Sequence, residues 1–493
     1  MKTEIKRDSK QDRQDKRDKS DKRDKRDNKN NNKNAEIKAI KSAREIALKI
    51  LTDCHVKNAW SDMALRAYLA RNNLSNSDSA LCARIVYGVL QNQILLDYDL
   101  KKFCGRDLKK LDLTVLDILR IGAYQILFLD RVPDWAAVHE AVNLAKKSGY
   151  ASAAGLVNAV LRKVSDNKEN IKNNIENNEL YPADSIKRLS IKYSCPEWMI
   201  EKFIELLGQD DAEEFLKFCN IIPPIYIQAN LIKIDDKSLC AELQAAGMDI
   251  KLNSWLAGCL EARGNSIIKL SDTGKFTGKF FVQDPAARLV TILGGVKSNM
   301  SVLDVCAAPG GKSFGAAIDM RNQGEILACD INAKRLKLIQ DGAARLGFNI
   351  IKTARADGRE FHPEWEKRFD MVLVDAPCSG LGILRKKPDI RYKYKDLKDL
   401  KNLIEIQKEI LNNAANYVKP GGRIVYSTCS ILPEENQQVT DEFLKRRTEF
   451  QADSFQTEYP GINNNINNPG QVTLWPQRNQ TDGFYIRVMA RIK

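Results

Sequence analysis

The sequence predicts a multidomain chain in three folded parts: an all-α part, a small α+β part, and a C-terminal α/β part built on a doubly wound sheet. Three observations predict this. Residues 36–165 repeat apolar side chains at helical spacing. Residues 190–284 exchange helices for short apolar runs of strand length. Residues 285–493 alternate strand-like runs with helices, the pattern of a parallel sheet covered by helices. At 493 residues the chain exceeds an ordinary single domain, and 43% hydrophobic residues suffice for several cores.

Residues 1–34 precede the folded parts. They alternate Lys and Arg with Asp and end in NNKNNNKN; fourteen basic and eight acidic residues give them +6 of the chain's +14. Apolar residues are almost absent, so this basic tail is expected to be disordered, either holding RNA loosely or only solubilising the chain. The positive balance of the whole chain suits a polyanionic partner, nucleic acid first.

In the helical part, Val138, Ala141, Val142 and Ala145 share one face, as do Leu156, Val160, Leu161 and Val164. LDLTVLDILRIGAYQILFL is apolar nearly all round and reads as a buried helix. Arg120, Arg162 and Lys163 are candidates for an RNA-facing surface or an ordinary solvated one, and His139 is a helix histidine rather than a ligand. Residues 166–189, opening with DNKEN and continuing rich in Asn, read as a linker. The small α+β part carries PIYIQANLI, SIIKL and KFFVQD as strand-like runs, and Trp198 as a core anchor.

The α/β part starts at 285. MSVLDVCAAPGGKS is strand, glycine-bearing turn and helix start; GEILACD is a second strand and FDMVLVDAPC a later one. DLKNLIEIQKEILNNAANYV is a long helix that KPGG ends, RIVYSTCS a further strand, and FYIRVMARI a terminal strand. In such sheets ligands sit at the C-terminal strand ends. Cys378, in DAPCSG, and Cys429, in STCSILPEEN, both fall there, at one crevice.

Metal and secretory chemistry are disfavoured. Eleven cysteines form no CxxC pair and only three histidines exist, so no zinc site is expected. No signal-peptide core and no 18-residue apolar run occurs. The expectation is a cytoplasmic protein with reduced thiols, no metal and no membrane partner, acting as a monomer.

Gly310 and Gly311 let backbone approach a ligand. Asp330 ends the next strand, 20 residues beyond Gly310, where a carboxylate can accept from ribose hydroxyls. Asp357, in RADGRE, ends the expected third strand and can meet an adenine edge. Together they suit an adenosine ligand without pyrophosphate. The two thiols suit a chemistry that starts from an unreactive cytosine ring. A nucleophile added at C6 makes C5 enamine-like and able to attack a methyl donor. Cysteine is both strongly nucleophilic and a good leaving group. Its thiolate needs an electropositive rim, for which Lys312 is a source. Asp375 is placed to assist the ring at N3 or N4, and a second ionisable group must remove the C5 proton before the first thiol departs.

CAAPGGK at 306–312, DAPCSG at 375–380 and STCSILPEEN at 427–436 resemble the signatures of the Sun-type RNA (cytosine-5) methyltransferases. ILRIGAYQILFLDRVP and AVHEAV…GLVNAVLRK resemble the NusB domain. Their fusion is similar to the bacterial ribosomal RNA small subunit methyltransferase B family. The resemblance implies an all-α NusB-like domain over 36–165, a small α+β domain over 190–284, and a Rossmann-like methyltransferase domain over 285–493. It implies S-adenosyl-L-methionine as cofactor, held by Cys306, Ala307, Ala308, Pro309, Gly310, Gly311, Lys312, Asp330, Asp357 and Asp375. It implies Cys429 as nucleophile, Cys378 assisting release, and 16S ribosomal RNA of the small subunit as partner, with cytosine 967 as the modified base. Ser313 stands where many members have Thr, and VQDPAAR keeps the Gln283–Asp284 pair followed by Pro285. The remaining nine cysteines read as small buried hydrophobes, Cys306 lending its backbone to the cofactor turn. Two rival readings are the same chemistry on tRNA and a catalytically dead RNA-binding assembly factor; the full set of catalytic residues weighs against the latter.

Overall fold

The computed structural model describes residues 42–177, 184–264, 274–455, 459, 462 and 469–493. The basic tail, the run SIIKL and nearly all of the Asn-rich stretch 462–468 lie outside the described residues. The chain divides into two compact units, Met1–Glu179 and Leu180–Lys493.

The first unit is all helical among its described residues: α1 (Ala43–Val56), α2 (Ser61–Arg71), α3 (Asn76–Gln91), α4 (Gln93–Cys104), α5 (Leu113–Phe128), α6 (Asp134–Lys147), α7 (Ala154–Asp166) and α8 (Lys168–Asn177). Side chains cap the starts: Ser42, Ser75 and Asp112 each accept from a backbone N–H of the first turn. Helix α5 is the axis of the core, buried from Val115 to Leu127. It approaches α3 closely at Gly88, where an added Cβ would lie 1.9 Å from the Tyr124 ring. The apolar faces read from the sequence pack against it, with Val142 and Leu156 at their margins.

Two expectations change here. Arg120 does not face RNA. It is buried, with its guanidinium 2.7 Å from Asp97 and 2.9 Å from Asp117; Asp117 also lies 3.0 Å from His55. A buried carboxylate needs such partners. Arg162, Lys163 and His139 do lie on the surface. The expected linker 166–189 is largely helical where described. Ile171 and Ile175, one helical turn apart within the Asn-rich run, pack α8 onto the core.

The second unit begins with three helices, α9 (Ser185–Tyr193), α10 (Glu197–Leu207) and α11 (Gln209–Cys219); Trp198 on α10 is half-buried. Four antiparallel strands follow, β1 (Ile225–Ala229), β2 (Ile250–Leu252), β3 (Cys259–Ala262) and β4 (Phe280–Val282), in the order β2-β3-β1-β4, with α12 (Asp236–Ala245) against them.

The larger sheet contains β5 (Ser301–Asp304), β6 (Glu325–Asp330), β7 (Ile351–Arg355), β8 (Phe369–Asp375), β9 (Val418–Thr428), β10 (Phe450–Ala452), β11 (Gln471–Leu474) and β12 (Phe484–Arg491). Its order is β7-β6-β5-β8-β9-β12-β10, with β11 also on β12. Strands β5 to β9 pair in parallel, and β12 runs antiparallel beside β9. Helices α13 (Pro285–Gly294), α14 (Gly311–Asp319), α15 (Ala333–Leu346), α16 (Lys401–Ala414), α17 (Gln437–Arg446) and the short α18 (Pro476–Asn479) accompany it. The chain steps outward from β5 to β7, then returns to β8 on the other side of β5. That reversal opens a crevice beyond the ends of β5 and β8. KPGG differs from expectation: it lies inside β9 as an irregularity, between Val418 paired with Phe369 and Arg423 paired with Met371.

A buried ionic group ties these parts together. Asp284 caps α13, accepting from Ala286 N at 3.0 Å. Lys386 reaches both Asp284, at 2.6 Å, and Asp482, at 2.7 Å. Arg391 donates to Asn220 of the segment after α11 at 2.7 Å. Thus the loop after β8 is pinned to α13, to the turn before β12 and to the helical segment at once.

Candidate active site

Strand β5 ends at Asp304, and the turn Val305–Gly310 carries the chain into α14. Gly310 has φ +111°, and an added Cβ would sit 2.5 Å from the Phe314 ring. Gly311 faces Gln283, whose Nε2 would lie 3.2 Å from an added Cβ. Ala307 N donates to Cys329 O at 2.8 Å, lacing the turn onto β6. Asp330 ends β6 and is buried; it accepts from Asn332 N at 2.9 Å and lies 3.3 Å from Arg335. Arg335 also donates to Ala308 O, so Asp330 and the 306–312 turn share one cation. Asp357 stands two residues past the end of β7, not in it. Its carboxylate is forked by Arg359 at 2.6–3.2 Å, which holds it below the usual range.

Asp304 carried no expectation and is fully buried. Ser313 Oγ donates to it at 2.7 Å, a bond a Thr hydroxyl would also make. Burial pushes its carboxyl up to about 7. Its Oδ1 and the Oε1 of Gln283 are buried acceptors without a hydrogen-bond partner. Orphaned acceptors beside a turn stripped of side chains at two glycines fit a ligand that brings donors and positive charge. S-adenosylmethionine, with an ammonium and a sulfonium, is such a ligand.

At the end of β8, Asp375 takes Lys312 Nζ at 2.6 Å on one oxygen and the Ser427 hydroxyl at 2.9 Å on the other. The Lys312 ammonium also lies 5.1 Å from the Phe484 ring centroid. The expected source of positive potential is thus paired with the expected acid. Just beyond, Cys378 follows β8 and Cys429 follows β9. Parallel pairing of the two strands, with Asp375 opposite Ser427, brings the thiols together: their sulfurs are 3.2 Å apart. Both are half-buried, and Cys306 is the third half-buried cysteine among eleven; the other eight are buried. The Cys378 thiol is pushed well above its usual range, first by its hydrogen bond with Cys429, then by burial and the nearby acids Glu435 and Asp375.

The loops carrying the thiols are cross-linked by hydrogen bonds. Gly382 N donates to Cys429 O at 2.9 Å, and Gly483 N, just before β12, donates to Gly382 O at 2.8 Å. Glu435, buried, accepts from Ser379 and Ser430, the residues next to the two cysteines. The sequence assigns Glu435 no task; its place in STCSILPEEN, six residues after a candidate nucleophile, is the one local signal that points to it. Among the described residues there is no cluster of three or more metal-type ligands, and no helix is long and apolar enough to cross a membrane.

Three family models match this chain: the NusB family over residues 41–166, the ferredoxin-like domain of RsmF/B-like methyltransferases over 195–264, and 16S rRNA methyltransferase RsmB/F over 290–490. A probable ribosomal RNA small subunit methyltransferase B of Bacillus subtilis is 35% identical, covering 91% of this chain and 99% of that protein. Another so described, of Synechocystis, is 31% identical over 90% of this chain and 98% of that protein. The crystal structure of PH0851 is similar at TM-score 0.73 and 28% identity, covering 91% of this chain and 98% of that one.

Proposed function

The chain belongs to the ribosomal RNA small subunit methyltransferase B family, whose members are S-adenosylmethionine-dependent RNA methyltransferases, and from that premise we propose that it makes 5-methylcytosine in 16S ribosomal RNA, at cytosine 967, through a covalent bond from Cys429 to C6 of the base. The observation that carries this reading is the pair of thiols 3.2 Å apart at the mouth of the crevice. Core filler would not place two half-buried thiols together beside a Lys–Asp pair.

The residues Cys306 to Lys312, with Asp330, Asp357 and Asp375, would hold S-adenosylmethionine, which supplies an electrophilic methyl group when bound. The protein's own groups do the rest. A thiol whose ionisation is strongly opposed is a hydrogen-bond donor. Cys378 is thus placed to donate to Cys429, the thiol that the family resemblance assigns as nucleophile. Cys429 adds to C6 and makes C5 nucleophilic. Asp375, backed by Lys312, steadies the ring as charge develops at N3 or N4. As a thioether, Cys429 is neutral, and the repulsion that kept Cys378 protonated falls away. Cys378 then loses its proton to solvent and takes the proton from C5. Elimination restores the Cys429 thiolate. The target base must leave its stack to reach the crevice, so an unpaired or flipped cytosine is the fitting substrate. The NusB-like and ferredoxin-like parts are the parts left to hold the RNA around it.

The test is methyl transfer from labelled S-adenosylmethionine to 16S and tRNA transcripts, with the product base identified by mass spectrometry. Label as 5-methylcytosine at cytosine 967 of 16S RNA supports the reading, and label at another 16S cytosine overturns the position alone. Label in tRNA alone, or in another base, overturns it.

A further inference from the structure

Glu435 has no task in the reaction just described, yet it is fully buried, a placement that costs stability unless hydrogen bonds answer it. They do. Its Oε1 accepts from the Ser379 backbone N–H at 2.7 Å and from Gln407 Nε2 at 3.0 Å. Its Oε2 accepts from the Ser379 hydroxyl at 2.5 Å and from the Ser430 hydroxyl. Ser379 follows Cys378 directly, and Ser430 follows Cys429 directly. Gln407, on α16, also donates to the carbonyl of Pro377, the residue before Cys378, at 2.9 Å. The acid's own backbone is fixed by Tyr426, whose hydroxyl donates to Glu435 O at 2.7 Å.

We propose that Glu435 is a positioning residue that sets the distance between the Cys378 and Cys429 sulfurs by binding, with one carboxylate, the residue next to each. The proposal rests on the two-thiol reading above. That chemistry needs one sulfur at C6 and the other within reach of the proton on the adjacent carbon C5, so the spacing of the sulfurs is itself a requirement. No covalent link joins the loops. A carboxylate with two oxygens can serve both loops where a single hydroxyl cannot. The Ser379 and Ser430 hydroxyl oxygens stand 3.2 Å apart; each gives its one hydrogen to Glu435 Oε2, so the shared carboxylate oxygen is what links them.

The charge of Glu435 is separable from its shape. In Glu435→Gln the amide oxygen can keep the two N–H donors, and the amide nitrogen can donate to the two hydroxyls, which rotate to accept. A spacer role therefore survives Glu435→Gln and is lost in Glu435→Ala, whereas a role through negative charge is lost in both.

The full chain would be prepared as wild type, E435Q, E435A, S430A and C429A. Four quantities are read: kcat and KM for 16S RNA, S-adenosylmethionine affinity by calorimetry, and the rate at which diamide, taking one hydrogen from each thiol, closes a Cys378–Cys429 disulfide. Glu435→Ala is expected to lower kcat by about 100-fold or more, slow disulfide closure, and leave cofactor affinity and KM near wild type. Glu435→Gln is expected within about tenfold of wild type in kcat, with wild-type closure. If Glu435→Ala does not fold, Ser430→Ala, which removes one link on the Cys429 side, is expected to lower kcat and slow closure in the same direction. Unchanged kcat and closure in the folded Glu435→Ala protein overturn the proposal, as does an E435Q as inactive as E435A. An active Cys429→Ala protein would instead overturn the two-thiol reading beneath it.

Discussion

The sulfurs of Cys378 and Cys429 lie 3.2 Å apart although they stand 51 positions apart in the chain, and the Cys378 thiol is pushed well above its usual range. The proposed roles make Cys429 the nucleophile and Cys378 the group that frees it. Cys429→Ala is expected to bind RNA and cofactor and give neither product nor adduct. Cys378→Ala is expected to attack and methylate, then stall, because the C5 proton stays and the thioether cannot leave. A denaturing gel of wild type, both single variants and the double variant with substrate RNA checks this. An RNA–protein adduct in Cys429→Ala rather than Cys378→Ala would reverse the two roles.

Asp330 is the buried acid at the end of β6, shared with the 306–312 turn through Arg335. Asp330→Ala is expected to weaken S-adenosylmethionine binding by roughly 1.5–3 kcal/mol, the range for a lost hydrogen bond involving a charged group. RNA affinity is expected to stay near wild type. Calorimetry with the cofactor alone is the measurement, and unchanged affinity would take Asp330 out of the site.

Asp304 gives a pH dependence whose sign can be worked out. Its carboxyl is raised from 3.8 to about 7, so between those values the folded protein holds a proton that the unfolded chain has lost. Stability from this group is therefore full below about pH 4 and falls as pH rises to about 7, by at most about 4 kcal/mol. Asp304→Asn, which can still accept from Ser313, is expected to lose less stability than wild type between pH 5 and pH 7. Melting curves of both proteins without cofactor at the two pH values test this; parallel losses would place the Asp304 pKa near that of a free carboxyl.

Arg120 and its surface neighbours separate structural from RNA-facing charge. Arg120→Ala removes a partner of the fully buried Asp117 and is expected to cost about 3–5 kcal/mol. Arg162→Ala and Lys163→Ala, both exposed, are expected to change stability by less than about 0.5 kcal/mol. If they line RNA, their loss weakens RNA binding and flattens its salt dependence. Urea unfolding and filter binding at two salt concentrations give both readings.

The sequence disclosed the parts of this molecule that repeat a period and the parts that carry reactive atoms. Alternating strands and helices announced the doubly wound sheet, because each buried strand is a short apolar run. The thiols were legible because both end such runs. What stayed hidden depends on contacts across the chain. Arg120 reads as a surface cation until Asp97 and Asp117 are seen beside it. Ile171 and Ile175 are only two apolar residues in an Asn-rich run, too few to announce a helix without the core they meet. Asp304 ends its strand like Asp330 and Asp375, and nothing local marks it as the one sealed from water. Glu435 is one of two adjacent glutamates, and only the fold shows which of them turns inward to both loops.

Strand β12 lies inside the sheet, with β9 on one side and β10 and β11 on the other, and the residues that lead into it hold the reactive loops: Gly483 secures Gly382, and Phe484 lies against Lys312. Residues 482–491 therefore do two things at once: they cover the edge of β9 by antiparallel pairing and they brace the loops that carry both thiols. A substitution that loosens β12 slackens those loops together with the sheet.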